Sequence, residues 1–108
     1  MTDFQAIPVP TSLGFETATC VCGKKLYVTG ARAVNNETWK WEGIVGWTRC
    51  ADMIQCRRRH CATFVNNTSM YVLGGFVDSG YVTLDSIEHY NTVINKWTKA
   101  GQNKPPNT

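Results

Sequence analysis

Met70-Tyr71-Val72-Leu73-Gly74-Gly75 decides the fold, because a near copy of it, Leu26-Tyr27-Val28-Thr29-Gly30-Ala31, lies 44 residues earlier. Each is a run of aromatic and β-branched residues, the composition of a strand. Each closes on glycine, which can leave the strand at dihedrals that other residues avoid. The same offset lays Ala18-Thr19-Cys20-Val21 on Ala62-Thr63-Phe64-Val65, and six positions of the two stretches are identical. Further on the offset grows: Trp41 falls on Tyr90 at 49, and Trp47-Thr48 on Trp97-Thr98 at 50. The added residues lie around Val77 to Thr83 and in the turn Asn91 to Asn95. Growth confined to loops is expected where packing fixes the elements between them.

Working outward, each copy reads as four short strands. The first copy gives Thr17 to Cys22, Lys25 to Thr29, Thr38 to Glu42 and Gly46 to Arg49. The second gives Cys61 to Val65, an apolar run suited to a buried inner strand, then Ser69 to Leu73, Asp85 to Tyr90 and Lys96 to Lys99. Asn66-Asn67-Thr68 is turn chemistry. In the third strand Ile87 falls on one face, and Ser86, Glu88 and Tyr90 on the other. No stretch sustains a helical apolar period. Four antiparallel strands repeated every ~45–50 residues are the pattern of a propeller blade. An eight-stranded sandwich is the competing all-β reading, but it gives no reason for one half to copy the other.

The expected organisation is therefore residues 1–12 as the exit of a preceding blade or a linker, 13–56 as a first, degraded repeat, 57–103 as a second repeat, and 104–108 as a linker to another blade. Propellers close with about four to eight blades. Two four-stranded antiparallel blades predict an incomplete propeller, so the sequence reads as a fragment.

Composition narrows function. The 108 residues carry a formal net charge of +3, too mild to argue for nucleic acid or an anionic membrane. No apolar run is long enough to span a bilayer. Met1 to Pro10 lacks the apolar core of a signal peptide, which predicts a cytoplasmic protein. Its five cysteines, Cys20, Cys22, Cys50, Cys56 and Cys61, then read as reduced thiols that pack as small apolar groups. Cys50, Cys56, His60 and Cys61 could be drawn as a zinc set, but isolated buried thiols are far commoner. The glycosylation sequons at Asn36, Asn66 and Asn67 read as turns. No cofactor is expected.

The second copy resembles the Kelch repeat. It has Gly74-Gly75 after its second strand, then Ser86-x-Glu88-x-Tyr90, then Asn95-x-Trp97. Met53 and Arg57, four apart, precede its inner strand. The first copy departs from the pattern: Ala31 replaces the second glycine, Trp41 the tyrosine and Trp39 the glutamate, and Thr11 to Phe15 lacks the Met and Arg. The Met53/Arg57 arrangement looks most like the Kelch-like proteins that carry BTB and BACK domains.

That resemblance implies a protein-binding propeller. The structural motif would be Tyr27, Gly30, Trp41, Trp47, Met53, Arg57, Tyr71, Gly74, Gly75, Glu88, Tyr90 and Trp97. The residues after the glycine doublet and those before the inner strand would form the partner-binding rim. Here these are Arg32, Phe76 and Asp78, and Arg58, Arg59 and His60. A guanidinium can clamp a carboxylate or phosphate, so an acidic or phosphorylated peptide is a fitting ligand. The equal alternative is that Arg57 is structural while Arg58 and Arg59 are solvated. The resemblance implies substrate recognition for a ubiquitin ligase, reaching cullin-3 through a BTB domain outside this chain, with BTB pairing making the whole protein a homodimer. It equally implies an actin-binding, cytoskeleton-associated scaffold. Some Kelch propellers are enzymes, but His60 and His89 are the only histidines, and no nucleophile motif is present. No catalytic residue is expected.

Overall fold

A computed structural model describes residues 16–31, 35–77 and 82–102. Arg32 and Asp78, like the flanking segments 1–12 and 104–108, lie outside the described residues. The chain forms two four-stranded antiparallel sheets. The first holds β1 (Ala18–Cys22), β2 (Lys25–Ala31), β3 (Asn35–Trp41) and β4 (Trp47–Arg49), paired in chain order. The second holds β5 (Cys61–Asn66), β6 (Ser69–Leu73), β9 (Ser86–Asn91) and β10 (Lys96–Gln102), also meandering from first strand to last. A small hairpin, β7 (Phe76–Val77) with β8 (Val82–Thr83), fills the long connection of the second copy. A 3-10 turn, Gly43–Val45, links β3 to β4.

Register proves the repeat. Leu26 faces Trp41, which faces Trp47; Met70 faces Tyr90, which faces Trp97. Val28 faces Trp39 as Val72 faces Glu88. The equivalences expected for Trp41, Trp47 and Trp39 therefore hold strand by strand. The inner strands need a correction. Cys20 pairs with Tyr27, whereas Thr63, not Phe64, pairs with Tyr71. An irregularity between Phe64 and Asn66 absorbs one extra residue, as a β-bulge does. The Ala-Thr-x-Val identity of the two inner strands is thus out of register by one. Their structural counterparts are Thr19 with Ala62, Cys20 with Thr63 and Val21 with Phe64.

The inner strand β5 is also less buried than its composition predicts. It is an edge strand with Cys61, Thr63 and Val65 exposed, and only Ala62 and Phe64 turn toward the core. That core lies between the sheets. Tyr27 from the first meets Met70, Val72, Tyr90 and Trp97 of the second, with Met53 of the linker completing the cluster. Cys20, Cys22, Cys50 and Phe64 pack around it. The Tyr27 ring lies 5.1 Å from that of Phe64 and 6.2 Å from that of Tyr90, tilted against both, a favoured aromatic geometry. β1 and β5, the first strand of each sheet, lie beside one another, as radially arranged blades require.

The turns follow from their residues. Asn66 Oδ1 accepts from Thr68 N at 2.9 Å, and Asn91 Oδ1 from Val93 N at 2.9 Å, the side-chain mimicry that makes asparagine a turn former.

Candidate functional site

The segment between the sheets, residues 50–60, crosses from one blade to the other and is held by the motif residues. Trp97 Nε1 donates to Ala51 O at 2.9 Å. Asn95 Oδ1 accepts from Ala51 N at 2.8 Å and from the Tyr90 hydroxyl at 2.6 Å. Glu88 accepts from Ile54 N at 2.6 Å and Gln55 N at 3.1 Å. The same carboxylate takes Arg57 Nε at 3.1 Å. Arg57 continues to Gly74 O at 2.9 Å, Ser86 O at 3.0 Å and Ser86 Oγ at 2.7 Å. Arg57 and Glu88 are each 1% exposed. A buried ion pair is tolerable when its remaining donors and acceptors are satisfied, and this one is. The first blade reaches the same segment through Asn36 O, which accepts from Met53 N at 2.8 Å, and Asn35 O, which accepts from Arg57 N at 3.2 Å.

This clasp explains the degraded first copy. Glu88 spends part of its capacity on the Arg57 guanidinium, and where Thr11 to Phe15 carries no arginine that part of the demand for a carboxylate at Trp39 is gone. Trp39 instead donates Nε1 to Glu37 at 2.8 Å and lies under Arg49, whose guanidinium carbon is 5.9 Å from the ring centroid.

The glycines mark where backbones approach. Gly30 (φ +62°) has no room for a Cβ, which would stand 2.3 Å from Arg57 O and 2.7 Å from His60 Cε1. At Gly75 (φ +86°) a Cβ would stand 2.6 Å from Arg58 O. The crowding comes from the linker, which wedges between Gly30 of one sheet and Gly75 of the next.

The expected rim residues divide. Arg58 and Phe76 exchange backbone hydrogen bonds at 3.0 and 2.9 Å, so the linker and the β7–β8 hairpin meet on one rim. The Arg58 side chain is only 5% exposed and pairs with Glu16 at 3.0 Å. Its guanidinium also lies 5.6 Å from the Phe76 ring centroid. It is therefore not a solvated cation. His60 is 7% exposed and faces inward, with Nε2 2.8 Å from Thr29 Oγ1. Burial, reinforced by the nearby Arg57 charge, lowers its pKa to about 4, so it is neutral at physiological pH. Arg59 turns outward with its side chain 60% exposed and also pairs with Glu16. Its φ of +55° is uncommon for a non-glycine residue. Arg59, followed chiefly by Arg58, holds the Glu16 carboxyl below the usual range. Glu16 was not among the expected rim residues; it lies in the lead-in to the first repeat, with no motif to mark it.

Beside this rim, Ile54, Gln55, Thr83, Leu84, Asp85, Ser86, Glu88 and Lys99 line a cleft of about 350 Å³. The thiols are dispersed: no group of three or more His, Cys, Asp or Glu converges among the described residues. Burial pushes the Cys20 thiol up to about 11, and its Sγ donates to Met70 Sδ at 3.2 Å. A thiol so disfavoured as thiolate suits packing rather than nucleophilic chemistry.

Residues 57–103 match the family model of the Kelch motif. Kelch-like protein 25 of Xenopus tropicalis is 34% identical over 95 residues, covering 77% of this chain and 16% of that protein. Kelch-like protein 23 of Homo sapiens is 35% identical over 77 residues, covering 71% of this chain and 13% of that protein. The chain thus spans about one-sixth of the length of such relatives. A solved structure, that of YjhT, superposes with a TM-score of 0.74 at 20% identity, over 87% of this chain and 29% of that one. At that identity the likeness is one of fold.

Proposed function

This is a Kelch-repeat chain related to the Kelch-like proteins, and from that premise we propose that it recognises a protein partner through the rim where Arg59, Phe76 and the cleft at Ile54 come together. Kelch repeats are protein-binding modules. The finer reading is a non-catalytic, cytoplasmic substrate-recognition segment, serving a ubiquitin ligase through cullin-3 and a BTB domain outside this chain.

One observation carries the rim assignment: the paired backbones of Arg58 and Phe76 bring the segment before the second repeat's first strand against the connection that follows its second, and Arg59 is the cation that this junction turns to solvent. Its partner in the molecule is Glu16. Arg59 is the solvent-exposed side of this pair, where solvent screening keeps an ion pair weak, so a ligand carboxylate or phosphate can compete for Arg59 while Glu16 keeps Arg58. The acid on Glu16 marks the chemistry that the rim accepts.

The test is titration of acidic and phosphorylated peptide pools against the chain, read by fluorescence anisotropy. Arg59→Ala is expected to weaken capture about tenfold, and Glu16→Gln to strengthen it. Affinity unchanged by Arg59→Ala removes Arg59 from the site. For the ligase reading, the full-length protein should co-purify with cullin-3 whether or not Arg59 is replaced; failure to do so rejects that role without touching the rim.

A further inference from the structure

Both sheets meander in chain order, so the turns that join first to second and third to fourth strands lie at one end of each. Cys22 Sγ donates to Asn67 O at 3.7 Å, which sets those two ends side by side. Arg58, Arg59 and Phe76 lie at the other end, where β5 begins and β6 finishes. Blades meet through their sheet faces, and these turns project past them: a Cβ added at Gly23, Gly43 or Gly46 would meet nothing within 4 Å.

Two of the turns are tipped with aliphatic side chains. Ile44 is fully exposed, and Val45, Val93 and Ile94 are 68%, 74% and 63% exposed. Neither turn is held by them. Between β3 and β4 the chain bends at Gly43 (φ +52°) and Gly46 (φ +86°). It is closed by Val45 N on Glu42 O and Gly46 N on Gly43 O, each at 3.0 Å. Between β9 and β10, Asn91 Oδ1 accepts from Val93 N at 2.9 Å and Ile94 N at 3.3 Å, and Asn95 takes the positive φ. Turn tips ordinarily carry Gly, Asn, Asp, Ser or Pro. These two differ in length and in turn chemistry; what they share is a pair of exposed β-branched aliphatics.

Charge gathers at the same end. Across residues 22–25, 42–46, 66–69 and 91–96 the basic side chains are Lys24, Lys25 and Lys96, all exposed, and the acid is Glu42. That acid already binds Lys25 at 3.7 Å and Lys40 at 3.2 Å. A charge that is mild over the whole chain is concentrated here.

We propose that this end docks on the interface of an anionic lipid bilayer. Ile44, Val45, Val93 and Ile94 enter the boundary between headgroups and acyl chains, and Lys24, Lys25 and Lys96 meet the lipid phosphates. Shape selects a bilayer over a protein. Two separate convex tips demand two apolar sockets at matching spacing from a folded partner, whereas a fluid interface closes around any protrusion. Shallow apolar insertion and cationic flanks together give the two signals that membrane attachment requires. A chain held this way turns Arg59 and Phe76 away from the membrane.

The experiment is co-sedimentation of the chain with vesicles of phosphatidylcholine, with and without phosphatidylserine, at low and high salt. Wild type is expected to pellet with the phosphatidylserine vesicles, less with phosphatidylcholine alone, and to be partly released by salt. Trp41 and Trp47, paired across the foot of the first tip, are expected to shift their emission to the blue on binding. Ile44→Asp and Val93→Asp are each expected to lower the partition coefficient at least about tenfold, and Lys24→Gln about fivefold. Circular dichroism checks that each variant keeps its strands; Ile44→Ser replaces an aspartate variant that unfolds. Three results overturn the proposal: wild type left in the supernatant with both kinds of vesicle, equal binding with and without phosphatidylserine at low salt, or binding undiminished when Ile44→Asp and Val93→Asp are combined. The first leaves the tips to a protein partner, and the last reduces the contact to charge alone.

Discussion

Replacing Glu88 with glutamine keeps the shape of the side chain and removes its charge, which makes it the sharpest test of the clasp. Three donors converge on the carboxylate: Ile54 N on Oε1, and Gln55 N and Arg57 Nε on Oε2. An amide has one oxygen. Whichever way it flips, its NH2 faces a donor, so at least one buried N–H loses its acceptor. The larger loss is the counter-charge of Arg57, which is 1% exposed and cannot reach water. Removing one partner of a buried ion pair costs about 3–5 kcal/mol. That is a large share of the roughly 5–15 kcal/mol that holds a domain together. In urea, where a small domain loses about 1–3 kcal/mol per molar of denaturant, the midpoint should fall by roughly 1–5 M. Tryptophan fluorescence reads the transition, since Trp97 rests on the linker that the clasp holds. The titration belongs at one fixed protein concentration, because association would shift the midpoint. A midpoint lowered by less than about 0.5 M at unchanged slope would refute the reasoning and show the pair to be dispensable.

Three further outcomes follow from the same geometry. Gly75→Ala should destabilise by at least about 2 kcal/mol, since it combines a positive φ with a Cβ 2.6 Å from Arg58 O; thermal unfolding reads it against Gly23→Ala, where the φ is also positive but no atom lies within 4 Å. Tyr90→Phe should cost about 0.5–1.5 kcal/mol, because Asn95 Oδ1 keeps Ala51 N as a donor; chemical denaturation measures it. His60 is buried neutral with a pKa lowered to about 4, so the unfolded chain takes up a proton first as pH falls. Its contribution is complete above about pH 6.5 and is lost progressively down to the folded value. The loss is on the order of 3 kcal/mol, and His60→Gln should flatten stability over that interval; an identical pH profile in the variant would count against it.

Much of the fold was legible because strand register copies itself. Tyr27 to Ala31 and Tyr71 to Gly75 share Tyr, Val and Gly at matching positions, and β2 and β6, which carry the Tyr and Val, are each second in their sheet. The slip of one residue in the inner strand was not legible, because Val65 in a bulge looks the same in sequence as Val65 in a regular strand. β7 and β8 escaped for a different reason: two residues cannot display a period. The site was harder to read. The motif marks Arg57 but leaves Arg58 and Arg59 looking alike in sequence, and the three side chains go to a buried carboxylate, a half-covered aromatic ring and solvent. Their fates depend on Glu88, Phe76 and Glu16, from 18 to 43 positions away by number, and local pattern carries no trace of such partners. His60 likewise reads as a rim residue until Thr29 of the neighbouring sheet is brought against it. The motif glutamate, tyrosine, asparagine and tryptophan could be recognised as a set, but that they grip the incoming chain segment is visible only in three dimensions.

The way residues 50–60 are fastened has a consequence for how this molecule tolerates change in length. Ala51, Met53, Ile54, Gln55 and Arg57 are each gripped at the main chain, by one sheet or by the other. Adding or deleting a residue there would throw every later grip out of step and tilt one blade against its neighbour. The second copy already carries added residues around Val77 to Thr83 relative to the first, within the connection that holds β7 and β8. Insertions should therefore accumulate in the hairpin, while the crossing segment keeps its count.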